Sequence, residues 1–178
     1  MSLTFASVLA GLLLLTLGGL LLWNSPAVGA TARAFPRSRR AAWLFFGTGS
    51  LWFLWIVAHL GEADLIIPRV PLFLIFAALA GLSFKYVPDF LAVRGLAVVL
   101  LLAAWQFLFA VYMNYQPQSY PLKIGAFLVV VIALFLAGYP YWLRDFFGWL
   151  FARPRRPRTV GTALAAYGLL LTVLAFAY

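Results

Sequence analysis

Cysteine is absent from this 178-residue chain, so neither a disulfide nor a thiolate metal site can form within it. Histidine occurs once, at His59, which excludes bis-histidine haem ligation inside a single copy. Only four residues are acidic, and charged residues make up 10% of the whole, against roughly 25% in a soluble domain. A water-facing surface cannot be covered from that stock. No long apolar run carries Asp, Glu, Lys or Arg in its interior, and ion-coupled transporters and proton pumps depend on such a group at depth. There is no phosphate-binding glycine loop and no nucleophile paired with a base.

What is present is grease with basic punctuation. Hydrophobic residues make up 66% of the chain, and aromatics 18%. The fold class that follows is an all-α integral membrane protein in one transmembrane domain over 1–178. Six apolar runs cover Leu3 to Trp23, Ala41 to Leu60, Ile67 to Phe84, Gly95 to Asn114, Ile124 to Trp142 and Thr159 to Tyr178. Each is near the length needed to cross about 30 Å of hydrocarbon at ~1.5 Å per residue. The first is read as a retained span, because no positive charge precedes it and it is too long for the core of a signal peptide. Between the first two spans, Asn24 to Arg40 reads as a polar loop with four arginines.

The net charge of +9 would suggest nucleic acid in a soluble protein. Here the basic residues flank apolar runs, so nucleic acid is set aside and anionic lipid takes its place as partner. Loops after the first, third and fifth spans hold Arg33, Arg37, Arg39, Arg40, Lys85, Arg94, Arg144, Arg153, Arg155, Arg156 and Arg158. The alternate loops hold only Arg69 and Lys123. Short basic loops stay cytoplasmic, which gives a six-helix bundle with both termini outside. Arginine outnumbers lysine 11 to 2, which hints at a GC-rich bacterium, and the membrane expected is then the bacterial cytoplasmic one.

The stretch LRDFFGWLFARPRRPR, Leu143 to Arg158, is the most polarised. Residues 143–152 form an interfacial helix that turns Leu143, Phe146, Phe147, Leu150 and Phe151 toward lipid. Pro154 and Pro157 are expected to keep the following tract extended. That leaves Arg153, Arg155, Arg156 and Arg158 splayed for anionic headgroups or an acidic partner.

Three further constellations are candidates for chemistry. His59, Glu62 and Asp64 follow one another at the end of the second span, and histidine with carboxylates suits a divalent cation or an outer-face lipid-modifying site. The plainer reading is an interfacial histidine beside two solvated acids. Gln106 is the one carboxamide near mid-span, with Ser50 and Thr48 at similar depth. It either clamps two helices or lines a ligand path with Ser50, Trp105, Phe109 and Tyr112. Asp89, in the connector Lys85 to Arg94, stands where it could cap the next helix.

Small-xxx-small pairs (Ala77 with Gly81, Gly161 with Ala165, Gly168 with Thr172) mark faces where helices approach closely. Ala80-Gly81 and Asp89-Phe90 recur as Ala137-Gly138 and Asp145-Phe146, an echo short enough for chance in this composition. No cofactor is named by the sequence. The function expected is an accessory or structural subunit of a larger membrane protein complex, with other membrane subunits as partners. The alternatives are a small carrier for a neutral or lipophilic molecule, or a lipid-modifying enzyme.

Overall fold

The computed structural model describes residues 1–61 and 67–177 and is all-helical over them. In chain order the helices are α1 (Leu3–Trp23), α2 (Pro26–Ala34), α3 (Arg39–Ala58), α4 (Arg69–Tyr86), α5 (Leu91–Ala110), α6 (Tyr120–Gly138), α7 (Tyr141–Leu150) and α8 (Arg155–Leu174). Short 3₁₀ turns, Phe35–Arg37 and Pro117–Ser119, lead into α3 and α6. Six of the helices, α1, α3, α4, α5, α6 and α8, are long and apolar enough to cross a membrane. The core of each expected span is therefore helical, with ends displaced by a few residues.

Local chemistry sets the starts. The Ser2 hydroxyl accepts from the Phe5 amide at 3.3 Å, and the Ser38 hydroxyl accepts from the Ala41 amide at 3.2 Å, capping α1 and α3. Pro68 is the N-cap of α4 and Pro71 lies in its first turn, where a missing amide hydrogen breaks no helical bond.

Two expectations fail at the helix starts. Asn24 to Arg40 is not a loop throughout: Ser25 caps and Pro26 opens the nine-residue α2, a pairing that favours helix initiation. The arginine-proline tract is not extended either, because α8 begins inside it at Arg155. Pro154 is the N-cap and Pro157 falls in the first turn, where amides lack intrahelical partners anyway.

Helix packing rests on small residues. α1 runs antiparallel to α8, with Gly11 against Gly168 and Thr172, and Gly18 against Gly161 and Ala165. A Cβ on Gly11 would lie 2.7 Å from the Gly168 carbonyl oxygen, and one on Gly168 would lie 2.7 Å from that of Gly11. The seven-residue spacing repeats the pattern between Gly18 and Gly161. Two expected small-residue pairs, at 161/165 and 168/172, are thus used within the chain. The third is not, since Gly81 faces open space.

α3 and α5 lie side by side and parallel, with Gly95 against the backbone of Phe45 and Phe46, and Gly49 against Val98 and Val99. α6 returns antiparallel along α5, where Leu136 meets Val93 and Ala97. At the opposite end Ala6, Ala10, Val111, Leu122 and Leu171 form one buried cluster. The Tyr167 hydroxyl donates to the Pro121 carbonyl at 2.6 Å and ties α8 to α6.

The start of α1 and the end of α8 therefore share one end of the bundle, and α2, α7 and the connector after α4 share the other. The second end holds eleven of the thirteen basic residues and is called the basic end below. Away from it, both remaining cations serve as carbonyl caps: Arg69 donates to Leu60 at 2.6 Å, and Lys123 donates to Asn114.

Among the described residues, three other than glycine have positive φ: Asn24 (47°), Phe90 (57°) and Met113 (58°). A left-handed residue with a Cβ costs roughly 1–2 kcal/mol. Met113 is 66% exposed, so little packing offsets that strain. Met113→Gly is expected to stabilise the protein by about 0.5–1 kcal/mol, read as a higher thermal midpoint in detergent.

Candidate functional site

The basic end is built from segments that brace one another. α7 lays Leu143, Phe147 and Leu150 toward the protein, with Leu150 1% exposed and Leu143 joining the Val93 cluster. The expectation that this face meets lipid is thereby corrected. Once α2 is helical, an apolar surface of protein is available there, and burial against it removes the same area from water. Gly29 of α2 faces the ring of Phe151, and the Arg33 guanidinium lies 5.9 Å from that ring's centre. Phe146 and Trp149 remain exposed on the outer side of α7.

The four arginines of the tract divide into two roles. Arg156 donates to the Trp149 carbonyl at 2.7 Å and sits 4.5 Å from the indole centre, closing the corner between α7 and α8. Arg153, Arg155 and Arg158 are exposed. α8 starts among them, at Arg155.

A cavity of ≈ 310 Å³ opens at the basic end between the start of α3, the end of α4 and the start of α5. Its mouth carries Arg37, Ser38, Arg39 and Asp89, its floor is the buried Ala42, Leu91 and Ala92, and Trp43 and Phe84 line its wall. Arg39 begins α3, so the positive end of that helix adds to the two guanidiniums. Arg37 is held 5.7 Å from the centre of the Phe90 ring, and Phe90 is the left-handed N-cap of α5. The cap position therefore belongs to Phe90, and the carboxylate of Asp89 is left beside the cavity. Among the described residues the ion pair present is Arg144–Asp145 at 2.8 Å, so Asp89 forms no direct ion pair with Arg37 or Arg39.

Deeper along the same three helices lies a cleft of ≈ 260 Å³, lined by Phe46, Ser50, Phe53, Phe76, Leu79, Ser83 and Val98, among others. Trp43 stacks on Phe84 at 4.1 Å, and Phe84 meets Phe46 edge-on at 5.3 Å. These rings join α3 to α4 where the two cavities adjoin.

Other expected residues do not converge on this place. Ser50 lines the cleft, but Gln106, Trp105 and Tyr112 are not among its lining residues. Trp105 is 49% and Tyr112 73% exposed on the outer surface. Gln106 is half-buried on α5 and has no side-chain hydrogen bond among the described residues. Thr48 is satisfied within its own helix, donating to the Leu44 carbonyl. His59 caps α3, with Nδ1 2.8 Å from the Trp55 carbonyl oxygen and its ring against that indole. Its expected partners Glu62 and Asp64 lie outside the described residues. No cluster of potential metal ligands occurs among the described residues.

Arg37, Arg39, Trp43 and Phe84 were not singled out by sequence reasoning as a site. The available signal was Pro36-Arg37-Ser38-Arg39, two cations around a helix cap. Compared with known proteins, the chain matches no family model, no curated protein and no solved structure. Its reading rests on the geometry.

Proposed function

We propose that the chain is a membrane-embedded accessory subunit of a larger protein assembly, and that α4 is the helix it offers to its neighbour. The observation that carries this reading is that α4 has no buried residue. It meets the rest of the bundle chiefly through aromatic contacts with α3, from Trp43 and Phe53 to Phe84 and Phe76. Leu74 and Leu82 are 60% and 50% exposed on a side away from those rings, and Gly81 there has open space for a close approach.

Orientation belongs to the same proposal. The basic end faces the cytoplasm of a bacterial cell, both termini face outward, and the site of action is the inner membrane. The concentration of basic residues at one end supports this, as does the structural use of Arg69 and Lys123 at the other.

The test places a photo-crosslinking residue at Leu74 or Ala78 in native membranes. A discrete adduct with one protein species is expected, together with a mild-detergent particle much heavier than the 19.7 kDa chain. Lipid adducts alone, with a particle of monomer mass, would overturn the proposal.

A further inference from the structure

The space between α4 and α5 has the form of a seat for one phospholipid. We infer that an anionic phospholipid occupies it, headgroup phosphate at Arg37 and Arg39, one acyl chain along the cleft between α3, α4 and α5.

Three features of the structure carry this. The mouth presents two arginines and a helix N-terminus against one carboxylate, Asp89, so a phosphate there meets net positive charge. Below the mouth, the lining turns apolar through Trp43, Phe84, Leu91 and Ala92, then Phe46, Phe53, Phe76 and Leu79. From Arg39 to Leu54 the lining extends about 22 Å along α3 at ~1.5 Å per residue. That matches one leaflet with its headgroup zone, about half of 40–45 Å. The seat also lies beside the one spanning helix with no buried residue, so an acyl chain there gives α4 a second surface of contact besides α3.

The site does not depend on α4 docking another subunit, because Phe76, Leu79 and Ser83 line the cleft while Leu74 and Ala78 face away from it. It also differs from general attraction to the basic end, and the experiment separates the two. The full chain is purified, delipidated in neutral detergent, and titrated with phosphatidylglycerol, phosphatidylcholine or inorganic phosphate while the thermal midpoint is followed. Phosphatidylglycerol is expected to raise the midpoint saturably, and the other two to have little effect.

The double variant Arg37→Gln/Arg39→Gln should weaken phosphatidylglycerol binding roughly 30-fold. The charge-matched control Arg153→Gln/Arg155→Gln, on exposed residues distant in sequence from the mouth, should stay within about twofold of the parent. Equal losses in both variants would mean diffuse surface attraction and overturn the proposal. An equal response to phosphatidylcholine would do the same, and a full response to inorganic phosphate would reduce the seat to a free-anion site. Should the double variant melt well below the parent without lipid, Ser83→Phe supplies an uncharged test. Ser83 is half-buried on the cleft wall and its hydroxyl donates to the Leu79 carbonyl of its own helix. The larger side chain fills the cleft and should also abolish the lipid-dependent rise; a full rise in that variant would overturn the proposal.

Discussion

Gly95→Ala is expected to part α3 from α5, although it adds a single methyl group. A Cβ on Gly95 would sit 2.7 Å from the Phe45 carbonyl carbon and nearer still to the backbone of Phe46. Neither obstacle is a side chain that can rotate away. Whole helices must move, and α5 is the helix that α3 and α6 both pack against. Overpacking of a tight interior costs typically 1–3 kcal/mol, and a backbone obstacle puts this substitution at about 3 kcal/mol or beyond. The check is the thermal midpoint of the detergent-solubilised protein, followed by the fluorescence of its seven tryptophans. Gly47→Ala is the matched control, since nothing lies within 4 Å of a Cβ there. Helix propensity alone then operates and should add up to ~1 kcal/mol of stability. A Gly95→Ala protein as stable as the parent would mean that α3 and α5 are not in the contact described.

Gly168→Leu is the second large effect, and it acts on the seam between α1 and α8. Gly11 and Gly168 exclude each other's Cβ reciprocally, as do Gly18 and Gly161, so the two backbones touch at two points about two turns apart. Hydrophobic exclusion does little to hold helices together in lipid. Close van der Waals contact of this kind carries the association. A leucine at 168 opens the upper contact and levers the lower one, with an expected loss of about 3 kcal/mol or more. The lack of native cysteine allows a clean readout through Ser7→Cys, placed at a fully buried position of α1. In detergent the thiol should resist maleimide in the parent and label rapidly beside Gly168→Leu. Continued protection would show that α1 is held by something other than α8.

Much of the architecture is legible in the sequence, and the reason is one of scale. A run of twenty apolar residues settles its own conformation, because unsatisfied backbone in hydrocarbon leaves helix as the local solution. The prolines at 68 and 71 and the small residues at 161, 165, 168 and 172 act through the same short-range rules. The errors gathered at the basic end, where segments are short and two environments compete. Ser25-Pro26 does carry a helix-start signal, but Arg33, Arg37, Arg39 and Arg40 drew attention to charge instead. Leu143, Phe147 and Leu150 form an apolar face correctly found and wrongly partnered, since periodicity states that a face must be covered and not by what. Pro157 shows the limit of treating proline as a breaker without its register.

The site was less legible for a related reason. Ser50 was noticed for being polar at depth, and it does line the cleft. Arg37, Arg39, Trp43 and Phe84 become neighbours only when α4 comes to lie beside α3, and no spacing along the chain announces that.

The seam between α1 and α8 bears on how the protein is made. Its two halves are separated by nearly the whole polypeptide, so α1 is synthesised long before its counterpart exists. At a synthesis rate of about 5–20 residues per second, roughly 7–30 s pass before the last helix emerges. Throughout that interval the glycine-notched flank of α1 lacks the helix that covers it. Ribosomes that stop short of residue 155 would release a chain with its first helix unmated.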